Sequence, residues 1–352
     1  MSERNLLIIT QKVDQEDDLL GFFVDWIIEF SKYFEEVNVI TLAKGNYDLP
    51  SNVYVYSLGK EKNSSRVFRF FKFYKLLFSL VPKSSGIFSH MSPIFVIASW
   101  PAALIFRKKI IFWYLHRSVT LRLKIAEKLC YKIVTAAKES LKFKSKKIIE
   151  TGHGINIDKF RTQRSWSRDG KLRILSVGRI SKIKNYETLI ESARILKGKG
   201  LDFEIKIVGK PVILKDDEYL ENLKFKIQNL KLEEVVHLVG FIPYSKIAPY
   251  YKESDIVVGL TPDGGIDKAI LEGMASGCIT LTSNDVFKRY FDGYAKELIF
   301  GHNDADELAE KIENIINFTP RQKEKISGFL VSSVSEHHQL KNVIDKISTL
   351  YE

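Results

Sequence analysis

The chain has only two cysteines in 352 residues, Cys130 and Cys278, which excludes a disulfide scaffold and any multi-cysteine metal site and fits a reducing compartment. A secretory leader is not expected either. The start, MSERNLLIITQK, holds a five-residue apolar stretch, too short for the apolar core of a signal peptide. From 84 to 106 formal charge is missing altogether, a length that could span a bilayer, but Pro93, Pro101, His90 and five serines interrupt it. The segment is expected to form a strand at 87–90, a turn and a helix rather than a membrane span. No internal repeat and no low-complexity tract is apparent. The last scarcity is of acids: residues 60–148 contain three, Glu61, Glu127 and Glu139.

Set against these absences, 45% hydrophobic and 12% aromatic content is enough to drive folding, and the length suggests two domains. The formal charge of +11 is unevenly placed: residues 1–59 carry −6, 60–148 carry +17, and 149–160 carry −1. A one-sided basic surface implies an anionic partner: nucleic acid, a membrane, or a phosphorylated small molecule.

Short apolar runs at 6–10, 37–42, 87–90, 110–115, 133–136 and 148–151 read as buried strands, separated by amphipathic stretches such as 19–34 and 121–130. After a polar linker at 162–170 the alternation resumes. Strands are predicted at 173–177, 204–208, 235–239, 256–260, 279–282 and 298–300, and helices at 186–197, 218–230, 268–275 and 307–316. Two blocks of strand-helix alternation predict an α/β chain of two Rossmann-like, doubly wound parallel-sheet domains facing across a cleft. The expected limits are 1–165 and 170–330, followed by a helix within 335–352 that packs back toward the first domain. In such sheets ligands bind beyond the carboxyl ends of the strands.

Two stretches carry chemistry. In Ile174-Leu-Ser-Val-Gly-Arg-Ile-Ser-Lys-Ile-Lys-Asn185 a strand ends at Gly178, Arg179 follows, and Lys184 arrives just before a helix. Guanidinium, ammonium and helix dipole together suit a diphosphate; a glycine turn with two solvated charges is the bland alternative. In Gly264-Gly-Ile-Asp-Lys-Ala-Ile-Leu-Glu-Gly-Met-Ala-Ser-Gly277, Gly264 and Gly265 let a ligand approach the backbone, and Glu272 could accept two hydrogen bonds from a ribose diol. Glu272 also reads as a surface residue of a packed helix, and Asp267 as an N-cap.

These stretches, with Lys206-Ile-Val-Gly209, Val239-Gly-Phe, Trp113-Tyr-Leu-His116, Val134-Thr-Ala-Ala-Lys-Glu-Ser140 and Gly152-His-Gly-Ile-Asn156, resemble in order and spacing the retaining glycosyltransferases of the GT-B fold, family-4 type. The resemblance implies a nucleotide-sugar donor, no cofactor and no metal. It implies that Arg179 and Lys184 hold the donor diphosphate beside Gly178, that Glu272 binds ribose, and that backbone near Phe241 holds the base. Gly264, Gly265, Asp267, Lys268 and Leu271 complete the donor loop, His116 contacts the donor sugar, and Gly21 opens the first helix beside the phosphates. The family usually carries a glutamate eight positions before the residue matching Glu272. Here that position is Gly264, with Asp263 adjacent and Asp267-Lys268 in the same loop.

An acidic loop, Asp14, Glu16, Asp17 and Asp18, follows the first strand, and one carboxylate, Asp18 being our choice, is a candidate to position or deprotonate the acceptor. More often such a cluster is a solvated loop. No metal site is expected: His337 and His338 are adjacent and point in different directions on a helix.

The basic excess centres on a predicted helix, Arg66–Leu80, with cations at 66, 69, 72 and 75 among six aromatic residues. Such a helix can lie in a membrane interface, or pack its aromatics on the sheet, or do both. Lys142, Lys144, Lys146 and Lys147 add a second basic run, and no nucleic-acid module accompanies either, so no nucleic-acid partner is expected. The reading is a peripheral enzyme at the cytoplasmic face of a membrane with a lipid-linked or glycan acceptor, the alternative being a catalytically silent GT-B protein that binds lipid or glycan.

Overall fold

The computed structural model describes residues 4–164, 166, 170–262 and 264–352. Two compact units divide it: Met1–Asn156 with Pro243–Ser245 and His338–Glu352, and Ile157–Ile242 with Lys246–His337.

The first unit is built on seven parallel strands: β1 (Asn5–Val13), β2 (Glu36–Lys44), β3 (Val53–Ser57), β4 (Gly86–His90), β5 (Lys109–Trp113), β6 (Lys132–Thr135) and β7 (Ile148–Glu150). Their order is β3-β2-β1-β4-β5-β6-β7. The reversal between β1 and β4 is that of a doubly wound sheet. Uniformly apolar runs form the central strands because helices cover both faces. Leu7, Ile9, Ile40, Ile87, Ile110 and Phe112 meet α2 (Arg66–Leu80), α3 (Pro93–Ile105) and α4 (Leu121–Leu129). On the other face α1 (Phe23–Phe30) sets Phe23 and Trp26 against Phe88 and Trp113.

The second unit has five parallel strands: β8 (Leu172–Val177), β9 (Phe203–Val208), β10 (Val236–Gly240), β11 (Ile256–Gly259) and β12 (Ile279–Thr282), ordered β10-β9-β8-β11-β12. Its helices are α5 (Ile157–Phe160), α6 (Tyr186–Gly198), α7 (Leu214–Asn229), α8 (Ala248–Glu253), α9 (Lys268–Ala275), α10 (Lys288–Phe291), α11 (Ala295–Leu298), α12 (Ala305–Asn317) and α13 (Pro320–His338). The chain then returns to the first unit with α14 (Leu340–Ser348), which lies beside α1.

The structure departs from the sequence expectations at four places. β3 is not among the expected strands: it is an edge strand with no buried residue and with Tyr54 exposed, so it carries no buried apolar run. The expected strand at 298–300 is a single bridge between Ile299 and Thr282, because a helical turn ends at Leu298. Only 23–30 of the stretch 19–34 is helical. The expected terminal helix is two helices broken at Gln339, where the backbone of Ile155 accepts from Leu340 N–H and donates to the His338 carbonyl. The uncharged segment 84–106 divides into β4 and α3, and among the described residues no helix is long and apolar enough to cross a membrane.

Candidate functional site

In the second unit the candidate donor residues gather at the carboxyl ends of the strands. β8 ends into Gly178, whose N–H bonds the Val208 carbonyl at 3.0 Å, while Gly209 N–H bonds the Gly240 carbonyl at 2.9 Å. Three adjacent strands therefore end in Val-Gly pairs lying side by side. Gly209 admits no other residue, since a Cβ there would lie 1.8 Å from the Gly178 carbonyl oxygen. Phe241 follows β10, and the Lys210 ammonium sits 4.5 Å from its ring centroid.

Arg179 is exposed. Lys184 closes a short 3-10 turn and is mostly buried, its Nζ 2.8 Å from Asp267 Oδ2. Thr261 Oγ1 donates to the same oxygen at 2.7 Å, and Asp267 Oδ1 accepts the Ala269 N–H at 3.1 Å. Asp267 is thus the N-cap of α9 and also the partner of Lys184. Burial pushes its carboxyl up, but the Lys184 charge and these hydrogen bonds outweigh that and hold it below the ordinary carboxylate range. Asp267 already neutralises Lys184, which leaves Arg179 and the positive end of α9, with exposed Lys182 and Lys210 in the neighbouring loops, to attract an anion.

Glu272 is no surface residue. It is buried on α9, where Oε2 accepts the Tyr251 hydroxyl at 2.8 Å and Oε1 pairs with Lys268 one turn earlier. Leu271 is fully buried in the core, so its side chain does not face a ligand. Gly264 is buried, the Gly265 carbonyl is held by Asn284 Nδ2 at 2.7 Å, and Asp263 lies outside the described residues.

One residue of the polar linker organises this arrangement. The Arg164 guanidinium donates to the carbonyls of Tyr251 (2.8 Å), Ser254 and Ser276 (2.8 Å), at the C-terminal ends of α8 and α9. Carbonyls at a helix C-terminus have spare acceptor capacity, and Arg164 uses it to tie the helix of Tyr251 to the helix of Glu272. The sequence did not single out Arg164, Tyr251 and Asn284, whose partners are distant in the chain, nor Thr261, whose partner Asp267 lies six positions on.

The candidates Asp18, Gly21 and His116 belong to the first unit. Lys12 pairs with Asp14 at 2.9 Å and with Asp17 at 2.8 Å, and Asp17 also accepts the Leu19 and Leu20 N–H groups. Burial pushes the Asp17 carboxyl up, and Lys12 with these N–H groups outweighs it, leaving it below its ordinary value. Two of the loop's carboxylates are therefore structural, while Asp18 is exposed. Gly21 precedes α1 by two residues, where a Cβ would lie 2.7 Å from the Asp17 carbonyl oxygen. His116 is exposed three residues beyond β5, its ring 5.7 Å from that of Tyr114. Burial pushes the thiols of Cys130 and Cys278 up to about 12, so neither is a nucleophile at neutral pH. Among the described residues, no three His, Cys, Asp or Glu side chains gather as metal ligands.

Residues 158–328 match the family model described as glycosyl transferases group 1. The chain is 37% identical over 145 residues to the amylovoran biosynthesis glycosyltransferase AmsK of Erwinia amylovora, which is 40% of this chain and 34% of that protein. It is 29% identical over 160 residues to the alpha-monoglucosyldiacylglycerol synthase of Streptococcus pneumoniae, 45% of this chain and 34% of that one. The matched stretches thus span about a third of these relatives. Among solved structures, Anabaena HepE in complex with UDP and glucose superposes with a TM-score of 0.75 at 14% identity, covering 98% of both chains. A glycosyltransferase from Rickettsia africae gives 0.77 at 18% identity over 100% of this chain and 98% of that one. Residues 158–328 are thus similar to the group 1 glycosyltransferases, and the chain as a whole has the fold of these solved glycosyltransferases, the GT-B fold.

Proposed function

We propose that this protein transfers a sugar from a nucleoside-diphosphate donor, with retention, to a lipid-linked or glycan acceptor at the cytoplasmic face of a membrane. The observation that carries the donor reading is the cluster at the strand ends of the second unit: exposed Arg179, the Lys184–Asp267 pair at the start of α9, and buried Glu272 on the same helix. The reaction breaks the bond between the anomeric carbon and the diphosphate oxygen, and the electron pair leaves with the nucleoside diphosphate. Arg179, the α9 dipole and Lys184, shared with Asp267, stabilise that charge, and no metal is assigned a part. Glu272, held by Tyr251 and Lys268, accepts the ribose hydroxyls. His116 meets the donor sugar and Asp18 the acceptor hydroxyl. Support for the membrane comes from α2, which buries only Phe73 and Leu77 and exposes Val67, Phe68, Phe70, Phe71 and Phe78 beside its cations.

The test is to incubate the purified protein with a panel of nucleotide sugars and measure nucleoside-diphosphate release, with and without membrane lipid. One donor should be consumed, and Arg179→Ala should lower kcat/KM by about 100-fold or more. If no donor is bound or hydrolysed and Arg179→Ala changes nothing, the chain is instead a silent binding protein, a reading favoured by Gly264 standing where the family usually has a glutamate.

A further inference from the structure

The first unit contains an open cavity of about 550 Å³ beneath α2 that none of the donor chemistry uses. Its floor is the apolar face of the sheet, Ile9 and Ile40, with Leu58 beside them, and its walls are Phe73 of α2 and Phe95 of α3. Phe70, more than half exposed, forms part of its edge. The volume lies within the roughly 300–1,000 Å³ of small-molecule sites. Thr10 and Thr41 also line it, but Thr10 Oγ1 is engaged with His90 Nδ1 at 3.1 Å and Thr41 Oγ1 donates to the Ala43 carbonyl at 2.8 Å, so the floor offers the hydroxyls of a sugar little to replace water.

The charged groups of the lining come from one side. Arg66 and Arg69 line the cavity from the first turn of α2. A helix ordinarily places acids there, because its N-terminal N–H groups carry partial positive charge. Here α2 has no acid anywhere in its fifteen residues and sets two guanidinium groups on its own positive end. The arrangement is electrostatically unfavourable for the protein alone, and an anion seated there relieves it. Arg forks match phosphate oxygens in particular.

From an apolar slot with an arginine pair on one wall, we infer that this cavity holds the hydrocarbon chain of a single lipid phosphate, with the phosphate on Arg66 and Arg69. Of the exposed apolar side chains, Phe70 of α2 and Ile94 at the start of α3 line the cavity, and Phe71 packs against Phe70 with ring centroids 5.6 Å apart, so its open side gives a hydrocarbon chain an apolar route in. The proposal deepens the acceptor half of the function proposed above, and only the identification of this lipid with the acceptor rests on it.

The test uses no sugar donor, so its failure leaves transfer untouched, and a failed transfer assay leaves it standing. Dodecyl phosphate, kept below its micelle-forming concentration, is titrated by calorimetry or native mass spectrometry against the full chain, beside hexyl phosphate, dodecyl maltoside and inorganic phosphate. Saturable one-to-one binding of dodecyl phosphate is expected. Each methylene removed should weaken it up to about fourfold, so that hexyl phosphate binds about 100-fold or more weakly. Arg66→Gln with Arg69→Gln should reduce affinity about 10-fold and erase the preference over dodecyl maltoside. Ala98→Trp, which fills the cavity from α3, should abolish the dependence on chain length. Lys72→Glu with Lys75→Glu, outside the lining, should weaken adsorption to anionic vesicles and leave dodecyl phosphate binding unchanged. Absence of saturable binding, affinity indifferent to chain length on the unaltered protein, or inorganic phosphate binding as tightly as dodecyl phosphate would each overturn the proposal.

Discussion

His90 ends β4 fully buried, with the Phe23 ring stacked 3.8 Å from its own and Thr10 Oγ1 3.1 Å from Nδ1. Burial drives its pKa down from 6.5 to about 3, so the folded protein keeps it neutral. The unfolded chain takes up a proton near pH 6.5. Stability is therefore full above that value and is lost progressively as the pH falls from 6.5 toward 3, by up to about 1.4 kcal/mol per pH unit. Urea unfolding between pH 7 and 4 should show this slope, and His90→Phe should flatten it. Asp267 acts in the same direction at lower pH. Its folded carboxyl is held below the usual 3.8, so the stability it contributes disappears only as acid protonates it. Lys184→Met would leave that carboxylate buried without its cation, a loss of about 3–5 kcal/mol that thermal unfolding would register along with the loss of donor binding.

Between elements, the decisive contacts are made by side chains that satisfy helix ends. Arg164 receives the C-terminal carbonyls of α8 and α9, and Arg164→Leu should destabilise the protein by about 3 kcal/mol, read as a lower Tm. If Glu272 has the donor role proposed for it, weakened nucleotide binding should accompany this, because Tyr251 and Glu272 would no longer be held in register. Lys147 does the same for α4, donating to the carbonyls of Glu127 and Cys130 at 2.7 Å each and Lys128 at 2.9 Å. One lysine of the second basic run is thus committed to structure, whereas the cations of α2 stand beside exposed aromatics. The run Arg66–Leu80 could be recognised as a helix from its pattern. That only Phe73 and Leu77 of it would be buried could not, since a helix with apolar residues around most of its circumference does not reveal which stripe meets the sheet.

At the scale of the whole chain, the first unit is completed by residues that follow the second. Leu340, Val343, Ile344 and Ile347 of α14 and the following Tyr351 are buried in it, and Tyr351 packs against Gly86 so closely that a Cβ there would lie 2.4 Å from its ring. At about 1.5–3 kcal/mol for each buried apolar side chain, their loss would approach or exceed the stability of an ordinary domain. Truncation after His338 should therefore expose the first unit to limited proteolysis while peptides from 158–328 stay protected. Equal resistance of both units in the truncated protein would contradict this.

The sequence by itself determined eleven of the twelve strands in outline, the glycines that end strands and the helix start at Asp267. These are local: a buried parallel strand must be apolar along its length, a cap must precede its helix, and a basic stretch keeps its charge in any fold. Tertiary structure alone decided which charges remain available. Asp267 neutralises Lys184 from 83 positions away, Tyr251 holds Glu272 from 21, and Lys12 takes up Asp14 and Asp17, so the carboxylates and cations that read alike in sequence divide into paired and exposed ones. It alone also opened the cavity under α2, because an empty space among side chains belongs to no segment of the chain and arises only when distant segments pack imperfectly around it.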